Sequence, residues 1–226
     1  MIQPVLKDEA LRDEMLAHGD ELHLWWLGQS GFLVRCDGKT LLFDPYLSDS
    51  LTVKYAATDK PHARMTENPI DPARLDFVDV VTSSHNHTDH LDADSLRPLL
   101  AANSGIALVI PEANRAFVAE RLNIDSSLPI GLNDGEKVEI GGWEIFGVPA
   151  AHETLETDDA GRHKFMGFIA RRGGVSIYHS GDTIPFDGMV ENLKPFEIDI
   201  ALLPINGRLP QRRVSGNLWG REAAHF

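Results

Sequence analysis

The chain has a single cysteine, Cys36, in 226 residues. An internal disulfide framework is therefore excluded, which fits a reducing compartment. Cys36 stands beside Val34 in an apolar stretch and reads as a small packed residue. No apolar run approaches the roughly 20 residues that cross a bilayer. The first twenty residues mix apolar and charged side chains and lack the apolar core of a signal peptide. Low-complexity segments and interdomain linkers are absent as well. The expectation is a cytoplasmic protein with no membrane partner. Positive charge is also scarce: 21 Lys and Arg face 34 Asp and Glu, for a formal net charge of −13. That balance works against non-specific affinity for phosphate backbones, so no nucleic-acid partner is expected. A local positive pocket for a small anion stays compatible with it. Hydrophobic residues make up 42% of the chain. That supports one core and one domain over residues 1–226.

Local patterning gives an α/β order. Leu6, Leu11, Met15 and Leu16 recur at helical spacing between Lys7 and His18, and Gly19 offers a stop. Leu22 to Leu27, Phe32 to Arg35 and Thr40 to Phe43 read as three antiparallel strands joined by Gly-containing turns. Ser48 to Pro72 lacks a clean period and reads as a long loop, of the kind that often forms a functional rim. Phe77 to Thr82 is expected as a buried strand, followed by a helix to about Ala102 capped by Asp92 or Asp94. Ile106 to Ile110, then Pro111 opening a helix through Leu122, gives a strand–helix unit. Lys137 to Ile140 with Trp143 to Val148, and Phe165 to Arg171 with Val175 to His179, predict two hairpins. Ile198 to Leu203 predicts a last buried strand, and Leu218 to Phe226 the start of a helix. Two sheet-rich halves with helices after their strands predict a four-layer αββα sandwich.

The dominant feature is Ser84-His85-Asn86-His87-Thr88-Asp89-His90-Leu91. Three histidines and an aspartate fall within six positions, directly after a strand-like run. Loops leaving the C-terminal ends of strands are where α/β proteins build sites. With ten His and twenty Asp in the chain, chance matches to His-X-His-X-Asp-His number roughly two in a thousand. His85 and His87, two apart in extended backbone, point the same way and can grip one ion. Asp89 and His90 follow the turn and can reach a second. Imidazole and carboxylate donors suit Zn²⁺, and also Mn²⁺ or Fe²⁺. So many ligands on one short loop are costly to pack without a metal.

This motif in this context resembles that of the metallo-β-lactamase superfamily, along nearly the whole chain. Asp44, in Phe43-Asp44-Pro45, is similar to the family's early aspartate, which buttresses the histidine loop. His152, in Pro149-Ala150-Ala151-His152-Glu153, resembles the third histidine of the first metal. Asp182, in Ser180-Gly181-Asp182-Thr183, resembles the carboxylate that bridges two metals. Taken singly, His152 reads more often as an ordinary polar residue and Asp182 as a turn carboxylate. Their order after strand-like runs reverses that. Within the superfamily the chain is most similar to the L-ascorbate-6-phosphate lactonase-like branch. Trp25-Trp26-Leu27-Gly28, His85 to Asp92, Tyr178 to Asp182, and Ile198-Asp199-Ile200-Ala201-Leu202 carry that likeness.

The resemblance implies two divalent ions, zinc or manganese. His85, His87 and His152 would hold the first, and Asp89, His90 and Asp182 the second. It also implies hydrolysis by a metal-bound hydroxide, on a small-molecule ester or lactone, with Asp89 carrying a proton. His179 is either a substrate residue, a support for the ligands or a plain strand-end histidine. A phosphorylated substrate would need a cation, and Arg208, Arg212 and Arg213 are candidates that read equally as a solvated loop. Superfamily members carry a further histidine after one more strand. The domain is therefore expected to be incomplete at its C-terminal end, lacking that strand and a helix, with His225 no substitute. An uncovered sheet edge there would favour a homo-oligomer. Two other readings share the motif: a phosphodiesterase, and a truncated metal-binding protein without catalysis.

Overall fold

The computed structural model describes residues 1–18, 21–212 and 215–225. Helix α1 (Asp8–Ala17) buries Leu11 and Met15; Gly19, its expected stop, lies outside the described residues. Strands β1 (His23–Gly28), β2 (Gly31–Cys36) and β3 (Lys39–Phe43) form the expected antiparallel meander. The expected loop from Ser48 to Pro72 instead contains helix α2 (Ser50–Tyr55), which buries Leu51. Six residues are too few to display a helical period. The expected strand Phe77–Thr82 shortens to β4 (Val80–Thr82). Ahead of it, the Val78 amide donates to the Asn103 side chain at 3.0 Å rather than to a neighbouring strand.

Helix α3 (Ala93–Ala102) follows the histidine loop, then β5 (Ala107–Pro111) and helix α4 (Arg115–Leu122). Pro111 closes the strand, and a short 3-10 turn precedes the helix. A short strand, β6 (Ile130–Leu132), was not anticipated. Strands β7 (Lys137–Ile140), β8 (Trp143–Pro149), β9 (Met166–Arg172) and β10 (Val175–His179) form the two expected hairpins. Helix α5 (Met189–Leu193) is again too short to announce itself. The last strand, β11 (Ile200–Leu202), pairs with β10 at the sheet margin. It was expected buried, yet Ala201 is exposed. Helix α6 (Gly220–Ala223) is a single turn.

The first sheet runs β1-β2-β3-β4-β5-β6, and its pairs from β3 onward are parallel. The second runs β11-β10-β9-β8-β7. Period-two alternation assigns the faces. Val34, Leu41, Val80 and Val109 meet Ile145, Phe168, Ala170 and Ile177 between the sheets. Their neighbours Leu33, Leu42, Val81 and Leu108 point outward onto Leu11, Met15, Leu96, Leu99 and Val118 of the helices. On the other side Ile169 and Tyr178 pack under Met189 of α5. The result is the expected α/β, four-layer αββα sandwich. The ends of β3, β4, β8 and β10 converge on one edge of this sandwich.

Candidate metal centre

Asp44 directly follows β3, is fully buried and has a positive φ of 38°. A non-glycine residue holds that conformation only when its surroundings over-determine it. Here four hydrogen bonds do so. Oδ1 accepts from the Thr82 hydroxyl and the Ser84 amide, each at 3.0 Å. Oδ2 accepts from the Ser84 hydroxyl and from His90 Nδ1, the latter at 2.7 Å. Burial works against the charged carboxylate, but His179, His90 and Ser84 outweigh it and hold its pKa below the usual value.

These bonds fix the histidine tautomers. A carboxylate only accepts, so His90 Nδ1 carries a proton. Ser84 gives its hydroxyl proton to Asp44, so it accepts from His85 Nδ1 at 3.0 Å. His152 Nδ1 lies 2.9 Å from the Gly216 carbonyl and donates to it. In each ring Nε2 is left to face the cluster. Anchoring the far nitrogen is how proteins orient metal-binding imidazoles.

Two groups result. His85, His87 and His152 bring ligand atoms within 4.8 Å of one another, and so do His85, His90 and Asp182. Ligands of a tetrahedral zinc at about 2.0–2.1 Å are ~3.4 Å apart, well inside that limit. Asp182 joins the groups: Oδ1 is 3.3 Å from His90 Nε2 and Oδ2 is 3.4 Å from His152 Nε2. His85 belongs to both groups, where the sequence had paired Asp89 with His90 and Asp182. Asp89 stands at the margin, 3.9 Å from His90 Nε2, and faces a cleft.

The residues present fit a metal. His85 Nε2 is buried and has no hydrogen-bonding partner among the described residues. A buried lone pair of that kind is costly unless it meets a Lewis acid. Burial pushes the His85 pKa well down, reinforced by His90, and also lowers that of His87. Both imidazoles are thus neutral and ready to coordinate. For His90 burial acts in the same direction, but Asp182, Asp89 and Asp44 outweigh it and raise the pKa well above the ordinary value. Asp182 is correspondingly lowered: burial opposes its charge, and His90, His85 and His152 more than compensate.

Other expected residues take different places. His179 is buried and stacks on Phe43 at 5.0 Å. Its Nε2 donates to the Ser30 carbonyl at 2.9 Å and its Nδ1 accepts from the Gly181 amide at 3.3 Å. Nε2 thus ties the end of β10 to the β1–β2 turn and Nδ1 fixes the turn that follows β10, although the ring lines the cleft. Arg208 makes a bidentate pair with Glu222, at 2.6 and 2.7 Å, and does not line the cleft. That pair holds the Glu222 pKa down to about 2. Arg213 and the side chain of Arg212 lie outside the described residues. His225 is exposed and joins neither group.

Three contributors were missed in the sequence. Ser84 relays between Asp44 and His85; its place beside the first histidine was the available signal. Phe165 packs against His85, His87 and His152 with ring centroids 5.1–5.8 Å away. Arg121 of α4 donates to the Asn86 carbonyl at 2.6 Å and clamps the histidine loop. Neither of these last two has a local signature.

Comparison with known proteins identifies the family. The model of the beta-lactamase superfamily domain matches residues 39–226. A UPF0173 metal-dependent hydrolase of Saccharolobus solfataricus is 30% identical over 189 residues, 82% of this chain and 72% of its own. One from Methanopyrus kandleri is 31% identical over 196 residues, 83% of this chain and 73% of its own. Igni18, a metallo hydrolase from Ignicoccus hospitalis, superposes with a TM-score of 0.60 at 23% identity, covering 89% of this chain and 75% of that one. An isothiocyanate hydrolase from Delia radicum gut bacteria gives 0.62 at 21% identity, covering 89% and 78%. These two structures speak for the fold alone. The chain belongs to the beta-lactamase superfamily. Its sequence relatives and its convergent His/Asp groups place it among the metal-dependent hydrolases of that superfamily. Among the described residues no helix is long and apolar enough to cross a membrane.

Proposed function

We propose that this protein hydrolyses a small-molecule ester or lactone at a two-metal centre. The observation that carries this reading is the Asp182 carboxylate, whose two oxygens face His90 and His152 at 3.3 and 3.4 Å. His85, His87 and His152 would hold one ion, and His85 or Asp89 with His90 and Asp182 the other. Imidazole and carboxylate donors of this kind suit zinc or manganese. When bound, such ions supply Lewis acidity and an acidified water.

The chain's own residues do the rest. Asp44 and Ser84 hold His85 and His90 in one tautomer and one orientation. Phe165 packs against the rings of His85, His87 and His152 and restrains their orientation. Asp89, at the cleft face, can take a proton from the attacking water and return it to the leaving oxygen. An ascorbate-6-phosphate lactonase-like activity would also need a phosphate anchor. Arg208 is committed to Glu222, so a lactone without a phosphate is the better match.

The test compares the purified protein, before and after chelation, on p-nitrophenyl esters, simple lactones and bis(p-nitrophenyl) phosphate. Hydrolysis of ester or lactone that chelation abolishes and zinc or manganese restores is the expected result. Preference for the phosphodiester would replace this reading with phosphodiesterase. Tight metal binding without turnover of any of them would make the protein a metal-binding module.

A further inference from the structure

A cleft of about 650 Å3 opens on Asp89, His90 and Asp182. That is within the usual range for small-molecule sites. One wall is a cross-strand aromatic pair, Trp26 of β1 opposite Phe32 of β2. Ile2, Met65 and Leu202 to Ile205 line the cleft as well. Four of these side chains are large, apolar and exposed: Met65 at 67%, Ile205 at 65%, Ile2 at 60% and Trp26 at 54%. Scattered exposed apolar residues need no explanation, but several around one functional cleft mark a ligand surface.

The charge of the lining points the same way. Among the described residues its ionisable members are Asp89, Asp182, His90 and His179. No lysine or arginine of the described residues lines it. Arg64 is nearby but turns its guanidinium onto the carbonyls of Tyr46, Ser48 and Thr66. With Asp89 and Asp182 engaged by the ions, the rest of the described lining offers an anionic substituent no lysine or arginine and mostly apolar walls.

Resting on the hydrolase reading above, we infer that the substrate is an uncharged ester or lactone carrying an alkyl or aryl group. That group packs on Trp26, Phe32, Met65 and Ile205. Its acyl carbon lies towards Asp182. In the reaction the acyl C–O bond breaks, the oxygen of water bonds to the acyl carbon, and a proton passes to the leaving oxygen. An ester gives a carboxylic acid, which ionises to solvent, and an alcohol; a lactone gives a single hydroxy acid; no redox partner is needed.

Two measurements on the protein as purified separate this inference from the hydrolase reading. The first is binding of Nile red, an uncharged apolar probe, with displacement by 1-octanol or by octyl phosphate. The second is kcat/KM for p-nitrophenyl acetate against octanoate below its micelle concentration. Burying extra methylenes should raise kcat/KM for octanoate at least ~10-fold over acetate. Octanol should displace the probe better than octyl phosphate does. Trp26→Ala and Ile205→Asp should each weaken probe binding several-fold while melting near the parent temperature. Probe binding without turnover of either ester would leave the apolar cleft standing and remove the hydrolase reading. Ester hydrolysis with no chain-length preference would overturn the substrate class alone. Tighter binding of octyl phosphate would overturn it too, because a cation at the cleft, a bound ion or a residue such as Arg213, would then select anionic substrates. A dimer by sedimentation that excludes the probe until Trp26 is removed would make the rim an interface between copies, and would also overturn it.

Discussion

At the scale of single residues, the site is governed by a relay of protons and carboxylates. His90 lies between two acids, with Nδ1 2.7 Å from Asp44 and Nε2 3.3 Å from Asp182. Its raised pKa means that the metal-free protein keeps a proton on it at neutral pH. An incoming ion must displace that proton, so metal affinity should rise with pH until the folded-state pKa of His90 is passed. His85, with its lowered pKa, is already neutral and releases none. Calorimetric titration of the metal-free protein at pH 7, in buffers of different ionisation enthalpy, should show about one proton released on filling the His90 side. Uptake without proton release would mean that His90 is not a ligand. Asp44 touches no metal position, yet it sets two tautomers. Asp44→Asn should weaken metal affinity by about 10–100-fold, the usual effect of losing a partner behind the ligands. Equilibrium dialysis reads this directly, and an unchanged affinity would show the relay to be dispensable.

At the scale of elements, the turn after β10 is tightly constrained and sits against the site. Gly181 has a φ of +59°, and a Cβ there would lie 2.6 Å from Ser84 Oγ and 3.1 Å from the Met166 carbonyl. Gly181→Ala should cost about 1–3 kcal/mol from backbone conformation alone. That corresponds to a melting temperature lower by roughly 2–12 °C for a chain of this size. It should also displace Ser84, and with it the relay to His85, so metal affinity falls as well. A loss of stability with unchanged metal affinity would show that the turn and the relay are independent. The sequence displayed the histidine loop and both hairpins because their signals are local: ligand spacing, Gly-containing turns and alternation. It hid α2 and α5, which are shorter than two helical turns. It also hid how the second group is composed. Whether His85 or Asp89 joins His90 and Asp182 depends on where β4 and β10 place their ends, and no spacing encodes that. The commitment of Arg208 to Glu222 is likewise a tertiary fact.

At the scale of the molecule, two sheets bring β3, β4, β8 and β10 to one edge, and the site exists only because the inter-sheet core holds that edge together. Phe168 and Ile177 are fully buried in that core. Phe168→Ala should destabilise by about 3–5 kcal/mol, as large-to-small changes in packed cores do. Thermal unfolding checks this. The two metal groups should differ in affinity. Three imidazoles and one Asp182 oxygen form the first set, whereas the second must share His85 or recruit Asp89 from 3.9 Å. The central claim is that Asp182 joins both groups into one catalytic centre. The most direct test is metal content after exhaustive dialysis, in the parent protein and in Asp182→Asn, measured together with ester hydrolysis. The account predicts that the parent keeps its first ion firmly and a second more weakly. It predicts that Asp182→Asn loses the second ion, loosens the first and hydrolyses at least about 100-fold more slowly. Unchanged metal content and full hydrolysis in Asp182→Asn would contradict it.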